Sequence, residues 1–80
     1  MPTVMRIGRY RLVIFLNDHS PAHVHVVSGE GRAKIDLPGT DQAPMLVEVE
    51  AIGKADMRRI MVKVSEQQEY LIARWRELHG

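Results

Sequence analysis

Hydrophobic and polar positions along this chain first alternate with a period of two and then switch to the spacing of a helix. Thr3 to Ile7 is a short β-prone run closed by Gly8, and the Gly8-Arg9 step that follows suits a tight hairpin. Tyr10 to Leu16 reads Y-R-L-V-I-F-L, which puts Tyr10, Leu12, Ile14 and Leu16 on one face and Val13 and Phe15 on the other. Apolar residues on both faces predict a central strand, covered on both sides or lying at a dimer contact. Asn17 to Pro21 is a dense turn signal. His23 to Val27, H-V-H-V-V, sets Val24 and Val26 against His23 and His25. Ser28 to Gly31 reads as a turn, and Arg32 to Leu37 alternates polar with apolar, so these two runs form a hairpin with one wet face. Pro38 to Pro44 is a loop punctuated by Gly and Pro. Leu46 to Glu50 adds an edge strand whose two glutamates face water.

From Gly53 onward the period changes. No Gly or Pro interrupts the chain until Gly80, and Met57, Ile60, Met61, Val64, Leu71, Ile72, Trp75 and Leu78 recur at helical spacing. A helix is predicted from near Lys54–Asp56, with Asp56 favourable to the dipole at its start and Gly80 as its stop. Gln67 and Gln68 break the stripe, which points to exposure or a partner contact mid-helix. The fold class that results is α+β. One domain spans 1–80, with a small antiparallel sheet of four to five strands within 3–50 packed against one long C-terminal helix over about 54–79.

Composition narrows the function classes. Eighty residues support only a small core, so reinforcement is expected from good packing, a partner subunit or a His/carboxylate metal site. With no cysteine, disulfides and thiolate metal sites are excluded. Eleven Lys/Arg against ten Asp/Glu give a net charge of +1, which offers nucleic-acid binding no support. No apolar run approaches the ~20 residues of a membrane span, and the first residues lack the pattern of a signal peptide, so a cytoplasmic protein is expected.

Candidate chemistry gathers in one place. His19, His23 and His25 form H-x-x-x-H-x-H, and residues i and i+2 of a strand project from one face with side chains roughly 6–7 Å apart. His23 and His25 can therefore converge on one substrate or ion, with His19 from the preceding loop as a third corner and Asp18 as a ligand or orienting partner. As general acid and base they would suit RNA or phosphoester cleavage, with His19 or Asp18 in support and phosphate bound by Arg32 or Lys34. Arg11 is a further candidate cation. If a metal is held, the set is His19, His23 and His25, a spacing that is not an established zinc signature. The plain alternative is that these imidazoles satisfy turn carbonyls, and that Arg32 and Lys34 are a solvated face. No cofactor motif is present, and the pattern leaves open whether the chain is an enzyme. The mixed charges along the helix read as a solvated surface, Trp75 as a core anchor, and His79 as a residue favourable to the helix end.

Taken together, the opening M-P-T-V-x-R-I-G-x-Y-R, the block N-D-H-S-P-A-H-V-H-V, the strand A-K-I-D-L and the closing L-I-A-R-W-R-E-L-H-G resemble a family of small bacterial proteins, domain of unknown function 4160 (DUF4160). The likeness runs from Met1 to Gly80 with its elements in the same order. It departs at Ala22, where the family more usually has a second proline; this loosens the loop before His23. The resemblance implies a compact single-domain protein often found beside another small protein, a pairing that has prompted toxin–antitoxin proposals. The expected function is therefore a protein-interaction component of a two-protein, toxin–antitoxin-like module. Its partner would be another small protein or a second copy of itself. A His-based RNase or phosphoesterase and a His-rich metal-binding module are the alternatives.

Overall fold

A computed structural model describes residues 3–39 and 41–79 of the chain. Among these residues, five strands form one antiparallel sheet in sequence order: β1 (Thr3–Ile7), β2 (Tyr10–Val13), β3 (His23–Val27), β4 (Arg32–Asp36) and β5 (Met45–Glu50). Two helices follow, α1 (Lys54–Glu66) and α2 (Gln68–His79). Gly8 takes φ +58° in the two-residue link between β1 and β2, a left-handed conformation that glycine adopts without steric cost.

One face of the sheet is dry. Leu12, Val24, Val26, Ala33 and Ile35 from the strands, with Ile14 just after β2, meet Met57, Ile60, Val64, Leu71, Ile72 and Trp75 from the helices in a single core. The helical stripe read from the sequence is thus the buried one, with Met61 and Leu78 half-buried at its margin. Asp56 fastens α1 to the first hairpin: it accepts a hydrogen bond from the Tyr10 hydroxyl at 2.6 Å and ion-pairs with Arg9 at 3.3 Å. These contacts, the Tyr10 hydrogen bond foremost, hold its carboxyl below the usual carboxylate range against the opposing pull of burial.

Three expectations need correction. The helix is two helices, because Gln67 leaves helical geometry at φ −109°, ψ 18°. Beside this break Gln68 is buried, and its amide must find partners there. It accepts from the Gly39 N–H at 3.3 Å and donates to the Gln42 carbonyl at 3.0 Å, so the second interruption of the stripe fastens the 38–44 loop. The Tyr10–Leu16 strand ends at Val13, because Phe15 and Asp18 close a turn on each other, and Leu16 is exposed. That strand is interior, as expected: β2 pairs with β1 on one side and β3 on the other, and Leu12 and Val13, on opposite faces, are both fully buried. Gly80, read as the helix stop, lies outside the described residues.

β5 is an edge strand, as its glutamates predicted, and all six of its residues are exposed. A bulge at Val47 shifts its register against β4: Lys34 pairs with Glu48 but Ile35 pairs with Leu46. Directly opposed residues share a face, so Leu46 and Val49, opposite Ile35 and Ala33, lie on the helix side. Glu48 and Glu50, opposite Lys34 and Arg32, lie on the open side.

Candidate functional site

The turn after β2 builds the site. The Asp18 amide donates to the Phe15 carbonyl at 3.1 Å, and its carboxylate oxygen Oδ2 accepts from the Phe15 amide at 3.1 Å. A short side chain bonded back to its own turn is held in one orientation. Asp18 then faces the start of β3, where the period of two brings His23 and His25 to the same side. His23 Nε2 lies 3.3 Å from Asp18 Oδ2, and His25 Nε2 lies 3.3 Å from the same oxygen. On its other side His23 donates from Nδ1 to the Pro21 carbonyl at 3.0 Å, since a carbonyl oxygen can only accept.

A row of rings holds this arrangement. His25 meets Phe15 edge-on with centroids 4.6 Å apart, and His23 meets His25 at 5.0 Å. Beyond His23 lies Trp75 at 5.0 Å, and His79 stacks on Trp75 at 3.8 Å with planes 18° apart. The His79 ring nitrogens lie 3.0 Å from the Trp75 carbonyl oxygen and 3.2 Å from that of Phe15; a neutral ring donates to one of them at a time, and the second contact is the one that reaches the turn carrying Asp18. His79 thus does more than sit favourably at a helix end. Trp75 is the core anchor expected of it, and also packs against His23.

The hairpin register settles which charges face the histidines. His25 is opposite Lys34, His23 opposite Asp36, and Val27 opposite Arg32, so the His-bearing and basic faces coincide. A hollow of about 330 Å³ opens over Asp18, His23 and His25, with His19, Lys34 and Asp36 at its walls. A second, of about 520 Å³, runs from Phe15 and His25 past Lys34 and Arg32 to Glu48 and Glu50. Burial pushes the His25 imidazole below its ordinary 6.5, reinforced by His23 and Lys34 and opposed by Asp18.

Of the predicted residues, Asp18, His23 and His25 are brought together, and one donor atom from each lies within 4.8 Å of the others. They are the donors that could hold a cation. His19 is exposed and only borders the hollow; Lys34 borders both hollows, and Arg32 only the larger. Sequence reasoning missed Asp36 and His79. The four-residue turn at 28–31 already places Asp36 across from His23, whereas nothing in the local pattern announces that the last turn of the helix returns to Phe15.

A family profile described as "Domain of unknown function (DUF4160)" matches residues 10–76. The chain belongs to the DUF4160 family. The matched span of this DUF4160 chain covers strands β2 to β5, the whole of α1 and Asp18, His23, His25 and Trp75, and ends three residues before His79. No curated protein and no solved structure matches the chain. Among the described residues, no helix of this DUF4160 protein is long and apolar enough to cross a membrane.

Proposed function

We propose that this DUF4160 chain is the binding component of a two-protein module, and that it docks an extended segment of its partner along the free edge of β5. The observation that carries this reading is the edge strand itself. Met45 is 61%, Val47 45% and Val49 48% exposed on a strand whose outer side pairs with no other strand among the described residues. Unpaired edges template the addition of another strand, and small proteins ordinarily cover or blunt them.

The charge pattern on β5 selects the occupant. A second copy paired antiparallel through Val49 would oppose Glu48 to Glu50 of its partner twice, and like charges directly opposed are destabilising. The bulge at Val47 breaks the period of two that a longer self-paired ladder needs. A partner segment carrying Lys or Arg at alternate positions, with apolar residues between, meets Glu48 and Glu50 on the open side and Leu46 and Val49 on the helix side. The hydrolytic alternative has Lys34 opposite His25 in its favour. Asp18, Asp36, Glu48 and Glu50 ring the same hollows, however, and a phosphodiester would have to approach four carboxylates.

Charge reversal tests the docking. Glu48→Lys with Glu50→Lys should abolish association with the partner encoded beside it while the chain still melts cooperatively. Reversing the alternating basic positions of the partner segment should restore association. Unchanged association of the doubly reversed chain would remove β5 from the interface.

A further inference from the structure

The site holds a feature that strand docking does not use. His23 gives its Nδ1 proton to the Pro21 carbonyl, so a neutral His23 presents the lone pair of Nε2 on its other side. That lone pair lies 3.3 Å from Asp18 Oδ2, and His25 Nε2 lies 3.3 Å from the same oxygen and within hydrogen-bond reach of Oδ1 at 3.4 Å. Two electron-rich atoms facing each other at this separation require positive charge between them, either a proton or a cation. A proton settles one pair of acceptors; three converging donors are the arrangement of a metal site.

The spacing fits. With zinc–ligand bonds of about 2.0–2.1 Å, neighbouring donors of a tetrahedral site stand about 3.3–3.4 Å apart. The two His–Asp separations already have that length, and all three donors lie within 4.8 Å of one another. The supporting contacts fit as well. Metal-bound imidazoles typically donate their second nitrogen to a carbonyl or carboxylate, as His23 does to Pro21, and ligating carboxylates are themselves hydrogen-bonded, as Asp18 is to the Phe15 amide. Packing of His25 on Phe15, and of His23 between His25 and Trp75, fixes the ring planes before any ion arrives. Imidazole nitrogen with one carboxylate oxygen suits zinc and its first-row neighbours, whereas magnesium and calcium take oxygen donors.

We infer that Asp18, His23 and His25 bind one zinc-class divalent cation through a carboxylate oxygen and two Nε2 atoms, with a remaining coordination position open to the hollow bordered by His19, Lys34 and Asp36. This site is independent of the β5 edge. The ligand set differs from the three-histidine set that the spacing had suggested, because Asp18 takes the place of His19.

Titration of tag-free protein with Zn²⁺, followed by calorimetry and by the fluorescence of Trp75, tests the inference. Trp75 is the only tryptophan of the chain and lies against His23. The expected result is one ion per chain, a fluorescence change saturating at that ratio, and a melting temperature raised by at least ~10 °C at a hundredfold excess over Kd. Mg²⁺ should do none of this. Asp18→Asn, which keeps an acceptor for the Phe15 amide, and His25→Gln should each weaken binding more than about 100-fold, beyond what loss of a supporting contact causes. His19→Ala should leave it within about threefold, since that residue supplies no donor. Binding of less than about 0.1 equivalent by the wild-type chain would overturn the site without reference to any variant. So would equal loss on His19→Ala and Asp18→Asn, or unchanged binding in folded Asp18→Asn.

Discussion

Gly31 gives the sharpest test of how β5 is held. It is buried in the turn between β3 and β4, where the chain linking β5 to α1 passes over it. A Cβ added there would lie 2.5 Å from the Ala51 carbonyl oxygen, 2.6 Å from Ile52 Cγ1 and 3.1 Å from the Ala51 carbonyl carbon. Ordinary contact begins near 3.4 Å, so the Ala51 peptide would have to retreat by roughly 0.9 Å. Ile52 can rotate aside at a cost of about 0.5–1.5 kcal/mol. Ala51 cannot rotate aside, because the clash is with backbone and its φ of +57° already lies in the left-handed region. Overpacking of this kind costs about 1–3 kcal/mol. For a domain of this size each kcal/mol lowers the melting temperature by roughly 4–8 °C. Gly31→Ala should therefore melt at least ~4 °C below wild type, and amide exchange should quicken first in β5. Gly29, two residues earlier, has nothing within 4 Å of an added Cβ, so Gly29→Ala should be neutral or stabilising by up to about 1 kcal/mol. If Gly31→Ala melts with wild type, or if Gly29→Ala costs as much, Gly31 does not fix the end of β5.

Two further outcomes follow from other parts of the fold. Gln68→Ala removes both partners of the 38–44 loop, leaving the Gly39 amide and the Gln42 carbonyl to water; chemical denaturation should show a loss of about 1–3 kcal/mol, and no loss would mean that the loop is held otherwise. His25 is held below its ordinary 6.5 in the folded chain, so the unfolded chain binds more protons around that pH; the stability from His25 is present above pH 6.5 and is lost as pH falls towards the lowered folded value. Measured unfolding free energy should accordingly decline on acidification from about pH 7 to 5, and His25→Gln should flatten that decline; a wild-type chain that gains stability over this range would refute the assignment.

Periodicity made the sheet legible because a strand with one dry face must alternate. Val24 and Val26, or Ala33 and Ile35, could not be core residues in any other register. The same alternation made His23 and His25 a same-face pair, and the turn at 28–31 brought Lys34 opposite His25. What stayed hidden depends on contacts distant in sequence or on single side chains. The helix reads as continuous because both glutamines are good helix formers; only the buried partners of Gln68, 26 and 29 residues away, mark the second of them as a core-facing anchor. Asp18 outranks His19 as third member of the cluster because its carboxylate bonds to the Phe15 amide three residues back, a turn geometry that composition does not specify. His79 returns to Phe15 across 64 residues of chain, beyond the reach of any local pattern.

Site-specific photo-crosslinking from β5 tests the proposed function most directly. With a photoreactive residue at Val49, one discrete adduct is expected in the cells that encode the chain, formed with the neighbouring protein at an extended segment bearing alternate basic residues. The same probe at Val62, somewhat more exposed on α1, should give no such adduct. An adduct of equal yield from Val62, or a Val49 adduct joining two copies of this chain, would contradict that function.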